Sequence, residues 1–115
     1  MSARDYLMLL GGQQQIKKSF LEALDGFDAL ITPTTAQPAL KLVEIDQSGS
    51  AAGFTRPVNF IEHCALALPN GFSSNWLPFS LQIVCAPYRE ALALRIGWAF
   101  QNATSWHLRF PRDFH

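Results

Sequence analysis

Two apolar runs, Ala65-Leu66-Ala67-Leu68-Pro69 and Phe79-Ser80-Leu81-Gln82-Ile83-Val84-Cys85, are joined only by residues 70–78. That connection is too short for a helical crossover, so the runs are expected to pair as antiparallel strands. Phe79, Leu81 and Ile83 alternate with Ser80, Gln82 and Val84, which implies one dry face and one mixed face. Pro87 is then expected to open a helix running to about Ala103. In it Leu92, Ile96, Ala99 and Ala103 form one stripe, and Leu94 and Trp98 another. A helix apolar on two sides wants partners on two sides.

Upstream, Leu7, Leu10, Ile16, Phe20 and Leu24 recur at mostly helical steps. Gly11-Gly12 costs about 2 kcal/mol of helix propensity relative to two alanines, so the front turns are expected to be loose or kinked. Gly26 reads as a left-handed stop. Phe27-Asp28-Ala29-Leu30-Ile31-Thr32 reads as a short buried strand closed by Pro33. Residues 34–53 hold Pro38, Gly49 and Gly53 without sustained period, as a long surface connection would. Trp106, Phe110 and Phe114 make an aromatic tail that should dock.

Composition narrows the function classes. In 115 residues, 49% hydrophobic and 16% charged, nine Lys+Arg balance nine Asp+Glu. This is a globular composition that fits one unit over residues 1–115, with no charge excess to collect phosphates or anionic lipids. Nucleic acid and membrane surfaces are therefore not expected partners. No apolar stretch approaches the roughly 18 residues that span a bilayer, and the first residues lack the features of a secretory signal. Cys64 and Cys85 form no framework and no paired motif, which suits a reducing cytoplasm.

The order of several short motifs carries a resemblance. Asp5-Tyr6-Leu7 is followed by Phe27-Asp28-Ala29-Leu30-Ile31-Thr32-Pro33-Thr34, Phe54-Thr55-Arg56-Pro57-Val58-Asn59 and Leu68-Pro69-Asn70-Gly71-Phe72. Then come Leu77-Pro78-Phe79-Ser80-Leu81-Gln82-Ile83-Val84 and Ala99-Phe100-Gln101-Asn102-Ala103-Thr104-Ser105-Trp106-His107. In this order they resemble the C-terminal portion of amidase signature enzymes, which hydrolyse or transfer amide groups. The resemblance implies an α/β fold: a C-terminal fragment of an α/β/α sandwich with a mixed sheet, incomplete without upstream residues. It also implies that the nucleophilic Ser, the bridging Ser on a cis peptide and the Lys base lie ahead of these residues, so that no catalytic residue and no cofactor is expected here. The expected partner is the remainder of an amidase domain, or a second copy meeting the exposed sheet edge and aromatic surface. A small amide substrate is expected only in the full-length enzyme.

The chain departs from the family's pattern at two places. Glu62-His63-Cys64 stands where Gly-x-Pro is usual, and Ser80 replaces a usual Gly. Larger side chains there would narrow or re-polarise a pocket. The Gly/Ser-rich Ser48-Gly49-Ser50-Ala51-Ala52-Gly53 reads as a flexible loop rather than a displaced nucleophile loop.

Asn59 and Arg56 are the candidate substrate-binding residues. The resemblance places their segment near the acyl-binding end of the pocket. The Asn59 amide both donates and accepts, as amide recognition requires, or else caps a loop. Arg56 either binds a carboxylate with both its arms or sits on the surface. Adjacent His63 and Cys64 face opposite sides of a strand and lack an orienting group, so a thiol dyad is not expected. His63, Cys64, Cys85, His107 and His115 show no metal-ligand spacing. Two other function classes remain open: a non-catalytic amidase remnant that binds a partner or a small amide, and an unrelated cysteine or metal enzyme.

Overall fold

The computed structural model describes residues 1–46 and 48–110. Phe114 and His115 lie outside the described residues. Six main elements follow the chain: α1 (Ala3–Ala23), β1 (Leu30–Pro33), α2 (Thr55–Phe60), β2 (Cys64–Phe72), β3 (Pro78–Cys85) and α3 (Glu90–Ala103). Single 3-10 turns occupy Leu42–Glu44 and Trp106–Leu108. The strands form one sheet in the order β1-β3-β2, and both ladders are antiparallel. The short connection between β2 and β3 thus makes the pair its length requires. The α/β class is as expected.

Register sets the two faces. Leu66 stands opposite Ile83, Leu68 opposite Leu81 and Cys64 opposite Cys85, so these side chains share one face, the one α3 covers. Ile83, Cys85, Leu68 and Ala93 are the buried centre there, with Leu66, Leu81, Leu92, Ile96 and Phe100 packed against it. At the closest point α3 carries Gly97, where an added Cβ would stand 2.5 Å from Leu66 Cδ2 and 3.0 Å from Leu68 Cδ1. A side chain there would have to displace the ends of these two leucines. The opposite face is mixed, as the alternation implied: buried Gln82 and Val84 stand beside partly exposed Ser80.

Several boundaries differ from the sequence expectation for identifiable reasons. α1 runs unbroken through Gly11-Gly12. It is started by a reciprocal cap, in which Asp5 N–H donates to Ser2 Oγ at 3.1 Å and Ser2 N–H donates to Asp5 Oδ2 at 2.9 Å. The cap also draws the Asp5 carboxyl below its ordinary range, mainly through the Ser2 N–H. Further along, α1 is tied to the body on one side. Gln13 Nε2 donates to Phe60 O at 2.6 Å, Lys17 pairs with Glu62, and the Phe20 ring meets His63 edge-on at 5.0 Å. These ties at helical spacing offset the weak propensity of the two glycines.

β1 begins at Leu30 rather than Phe27. Gly26 takes φ 80 and Phe27 N–H closes a turn on Leu24 O at 2.9 Å, so Phe27 belongs to the reversal. Pro33 falls inside β1, tolerated because β1 is an edge strand whose missing donor faces no neighbour. α3 begins at Glu90 and not at Pro87, because Tyr88 sits at φ 62, outside helical space. α2 has no counterpart among the elements expected from the sequence. Pro57 lies in the first turn, where its missing N–H has no intrahelical partner to lose. Finally, Trp106 docks against Phe72 at 6.2 Å between ring centres, whereas Phe110 is 76% exposed.

Candidate functional site

The candidate site is built from the loop ahead of α2 and the first turns of α2 itself. Arg56 N–H donates to Ala52 O at 2.9 Å, turning the chain into the helix. Ser50 Oγ is the node of the loop: it accepts from Ala52 N–H at 3.2 Å and from Arg56 Nη2 at 2.9 Å. Between loop and helix lies an open hollow of about 380 Å³, lined by Ser50, Ala52, Gly53, Arg56, Pro57 and Phe60. The sheet fixes where this unit sits. Buried Gln82 divides its Nε2 between Phe54 O and Thr32 Oγ1, each at 3.2 Å, and so ties the start of α2 to β3 and β1.

Of the two sequence candidates, Arg56 lines the hollow. Asn59 lies on the same short helix, exposed and outside that lining. Both lie on α2, which sets the two side chains on neighbouring parts of one helical surface. Sequence reasoning missed the role of Ser50 as a node. Its signal is faint, a serine six residues ahead of an arginine inside a Gly/Ser-rich segment.

A second hollow of about 460 Å³ opens where β1 meets β3 and includes Thr32, Thr35, Asn70, Phe79 and Ser80. Ser80 Oγ donates to Thr34 Oγ1 at 2.5 Å, so the residue standing at a usual glycine adds a hydroxyl to this wall.

None of the described serines near either hollow is set up as a nucleophile. Ser50 contacts a guanidinium, which stays protonated and cannot accept its proton. Ser48 Oγ donates to Asp46 Oδ1 at 2.7 Å. That bond holds the Asp46 carboxyl below its ordinary range, which makes it a poorer base. Two of the polar atoms of His63 and Cys64 are spent on backbone: His63 Nδ1 lies 3.0 Å from Ile61 O, and Cys64 Sγ donates to Ala86 O at 3.3 Å. His63 Nε2 is buried without a partner among the described residues. The Cys85 thiol is pushed up by burial, reinforced by neighbouring Cys64, the opposite of what activates a thiol. Among the described residues, no three His, Cys, Asp or Glu side chains converge in a way that could hold a metal ion, and no helix is long and apolar enough to cross a membrane.

Comparison with known proteins places these observations. The Amidase family matches residues 1–94. The A subunit of glutamyl-tRNA(Gln) amidotransferase from Synechococcus sp. (strain JA-2-3B'a(2-13)) is 40% identical over 99 residues, covering 84% of this chain and 19% of that protein. Its counterpart in Geobacter metallireducens is 38% identical over 96 residues, covering 80% of this chain and 20% of that protein. Among solved structures, 6-aminohexanoate cyclic dimer hydrolase superposes with a TM-score of 0.83 at 27% identity, over 97% of this chain and 27% of that one. The Thermotoga maritima counterpart of the amidotransferase subunits gives 0.80 at 28% identity, over 92% of this chain and 24% of that one. The chain therefore spans about a fifth of the length of the curated relatives it matches. With most of its residues matched and its sheet and helices superposing on these structures, the chain belongs to the Amidase family.

Proposed function

We propose that this chain is the C-terminal portion of an amidase-signature hydrolase acting on carbon–nitrogen bonds, by amide hydrolysis or amide transfer. It would supply scaffold and pocket wall, while the reacting Ser, bridging Ser and Lys come from the rest of the domain. The supporting observation is geometric. The Cα radius of gyration is 17.4 Å, against about 13 Å for a self-contained domain of this size. The excess is apolar surface left bare: no residue of α1 is buried, and Leu94 and Trp98 on the outer face of α3 are 60% and 70% exposed. A body with its own complete core would not leave these faces to water. The cover in this reading is the remainder of an amidase domain.

In that assembled enzyme Arg56 would form part of the substrate-binding wall, and Asn59 would offer its amide to the substrate. Both cysteines are free thiols, which favours a reducing cytoplasm as the working compartment.

The test is an amide-hydrolysis assay of the purified 115-residue chain against a broad panel of amides. No turnover is expected. Turnover abolished by substituting a residue of this chain would overturn the proposal.

A further inference from the structure

We infer that the hollow beside α2 is a carboxylate subsite, with Arg56 as its specificity-determining residue and an amide substrate bearing a carboxylate beyond a short apolar segment as its ligand. This rests on the proposal that the chain forms part of an amidase pocket.

The inference starts from charge. Among the described residues the ion pairs are made by lysines, Lys17 with Glu62, Lys18 with Glu22 and Lys41 with Glu44. Arg56 has no carboxylate of those residues within reach. Its one side-chain hydrogen bond among the described residues, Nη2 to Ser50 Oγ, engages a neutral hydroxyl and uses a single donor. A guanidinium carries five donors in a planar fork, so most of its capacity is unspent. While α2 faces water this costs little, because Arg56 is exposed. Once the rest of a domain closes over α2, an unpaired cation would be desolvated at considerable cost. An anion arriving with the substrate removes that cost.

The lining chooses among anions. Only Arg56 brings charge to this wall, and apart from Ser50 the remaining lining is Ala52, Gly53, Pro57 and Phe60. A phosphate dianion would ask for a second cation or an array of amide donors. A carboxylate matches one guanidinium with two parallel hydrogen bonds. Pro57 and Phe60 then offer apolar contact to a few methylene groups. Ser50 fixes the fork's orientation, so it acts as a positioning residue.

The experiment is a titration of the 15N-labelled 115-residue chain with hexanoate, with hexanamide as the neutral isostere and inorganic phosphate as a competing anion. Hexanoate is expected to shift the amides of Ala52, Gly53, Arg56 and Phe60 saturably, with hexanamide about two- to five-fold weaker, the size of an exposed guanidinium–carboxylate pair. Arg56→Gln should abolish that discrimination, and Arg56→Lys should restore part of it. Equal responses to hexanoate and hexanamide, undiminished discrimination in Arg56→Gln, or phosphate binding more tightly than hexanoate would overturn the inference. Should Arg56→Gln lose its dispersed spectrum, the ratio of the two ligands on the unmodified chain decides. The outcome is separable from the amide-turnover assay. A chain that prefers hexanoate yet turns over amides keeps the subsite and sinks the non-catalytic proposal, and a chain with neither property does the reverse.

Discussion

Gly97 of α3 and Leu66 of β2 approach so closely that the helix rests its backbone on the strand's side chain, leaving 2.5 Å between an ideal Cβ at Gly97 and Leu66 Cδ2. Two effects oppose each other when this glycine is replaced. Alanine gains about 1 kcal/mol of helix propensity, but its methyl must displace the end of Leu66 and crowd Leu68 Cδ1 at 3.0 Å. Leu66 is only half buried and can give way, whereas Leu68 is 8% exposed. Gly97→Ala should therefore stay near neutral. Gly97→Val adds branches that meet both leucines, and should destabilise by about 1–3 kcal/mol through overpacking. Urea unfolding of the two variants at unchanged slope checks this, and a stable Gly97→Val would contradict the packing.

Glu62 occupies φ 57, the left-handed region that favours glycine. Its carboxylate pairs with Lys17, yet the Glu62 side chain is 61% exposed, so the pair contributes no more than about 1 kcal/mol. The backbone strain is of similar size, about 1 kcal/mol. Glu62→Ala loses the pair and keeps the strain, whereas Glu62→Gly loses the pair and relieves the strain. Glu62→Gly should thus be the more stable of the two by about 1 kcal/mol. Denaturation midpoints in the reverse order would show that the left-handed turn is not strained.

What the sequence made legible was the part governed by local rules. The spacing of 65–69 and 79–85 required an antiparallel pair, and Gly26 marked the end of α1. The bare stripe of Leu94 and Trp98 was visible as a second apolar face. What stayed hidden depended on contacts distant in sequence. α1 survives Gly11-Gly12 because Gln13, Lys17 and Phe20 reach residues 60–63. α2 has only 6 residues, too few to show a hydrophobic period, and its Pro57 sits in the first turn where no intrahelical bond is lost. Arg56 could be singled out from its motif, but its lack of an acidic partner among the described residues is a property of the folded chain.

Cys85 carries the pH dependence. Its thiol is 0% exposed and its pKa is raised above the ordinary value of 9.0 by burial, with Cys64 adding to the effect. The folded chain therefore holds this proton more tightly than the unfolded chain does. The resulting stability is complete below pH 9.0 and drains away as pH rises from there through the raised folded value. Urea midpoints should fall between pH 8 and pH 10.5, and fall less in Cys85→Ala once the loss of side-chain volume is subtracted. Alkylation should agree: under native conditions Cys64 should be modified before Cys85, and in denaturant the two should react alike. Identical pH profiles for wild type and Cys85→Ala would remove the thiol as the cause.

Trp98 and Leu94 share the outward face of α3, and covering either would contribute about 1.5–3 kcal/mol. In the absence of the domain that we propose covers them, a second copy is the available apolar surface. The purified chain should sediment with a concentration-dependent mass above the monomer. Leu94→Glu with Trp98→Glu should lower that mass towards the monomer without altering far-UV circular dichroism. Both positions are exposed within the single chain, and Glu is a good helix former, so the fold has little to lose from the change. An association unaffected by the two substitutions would move the contact elsewhere, with the open edge of β1 and the bare first turns of α1 the next surfaces to probe.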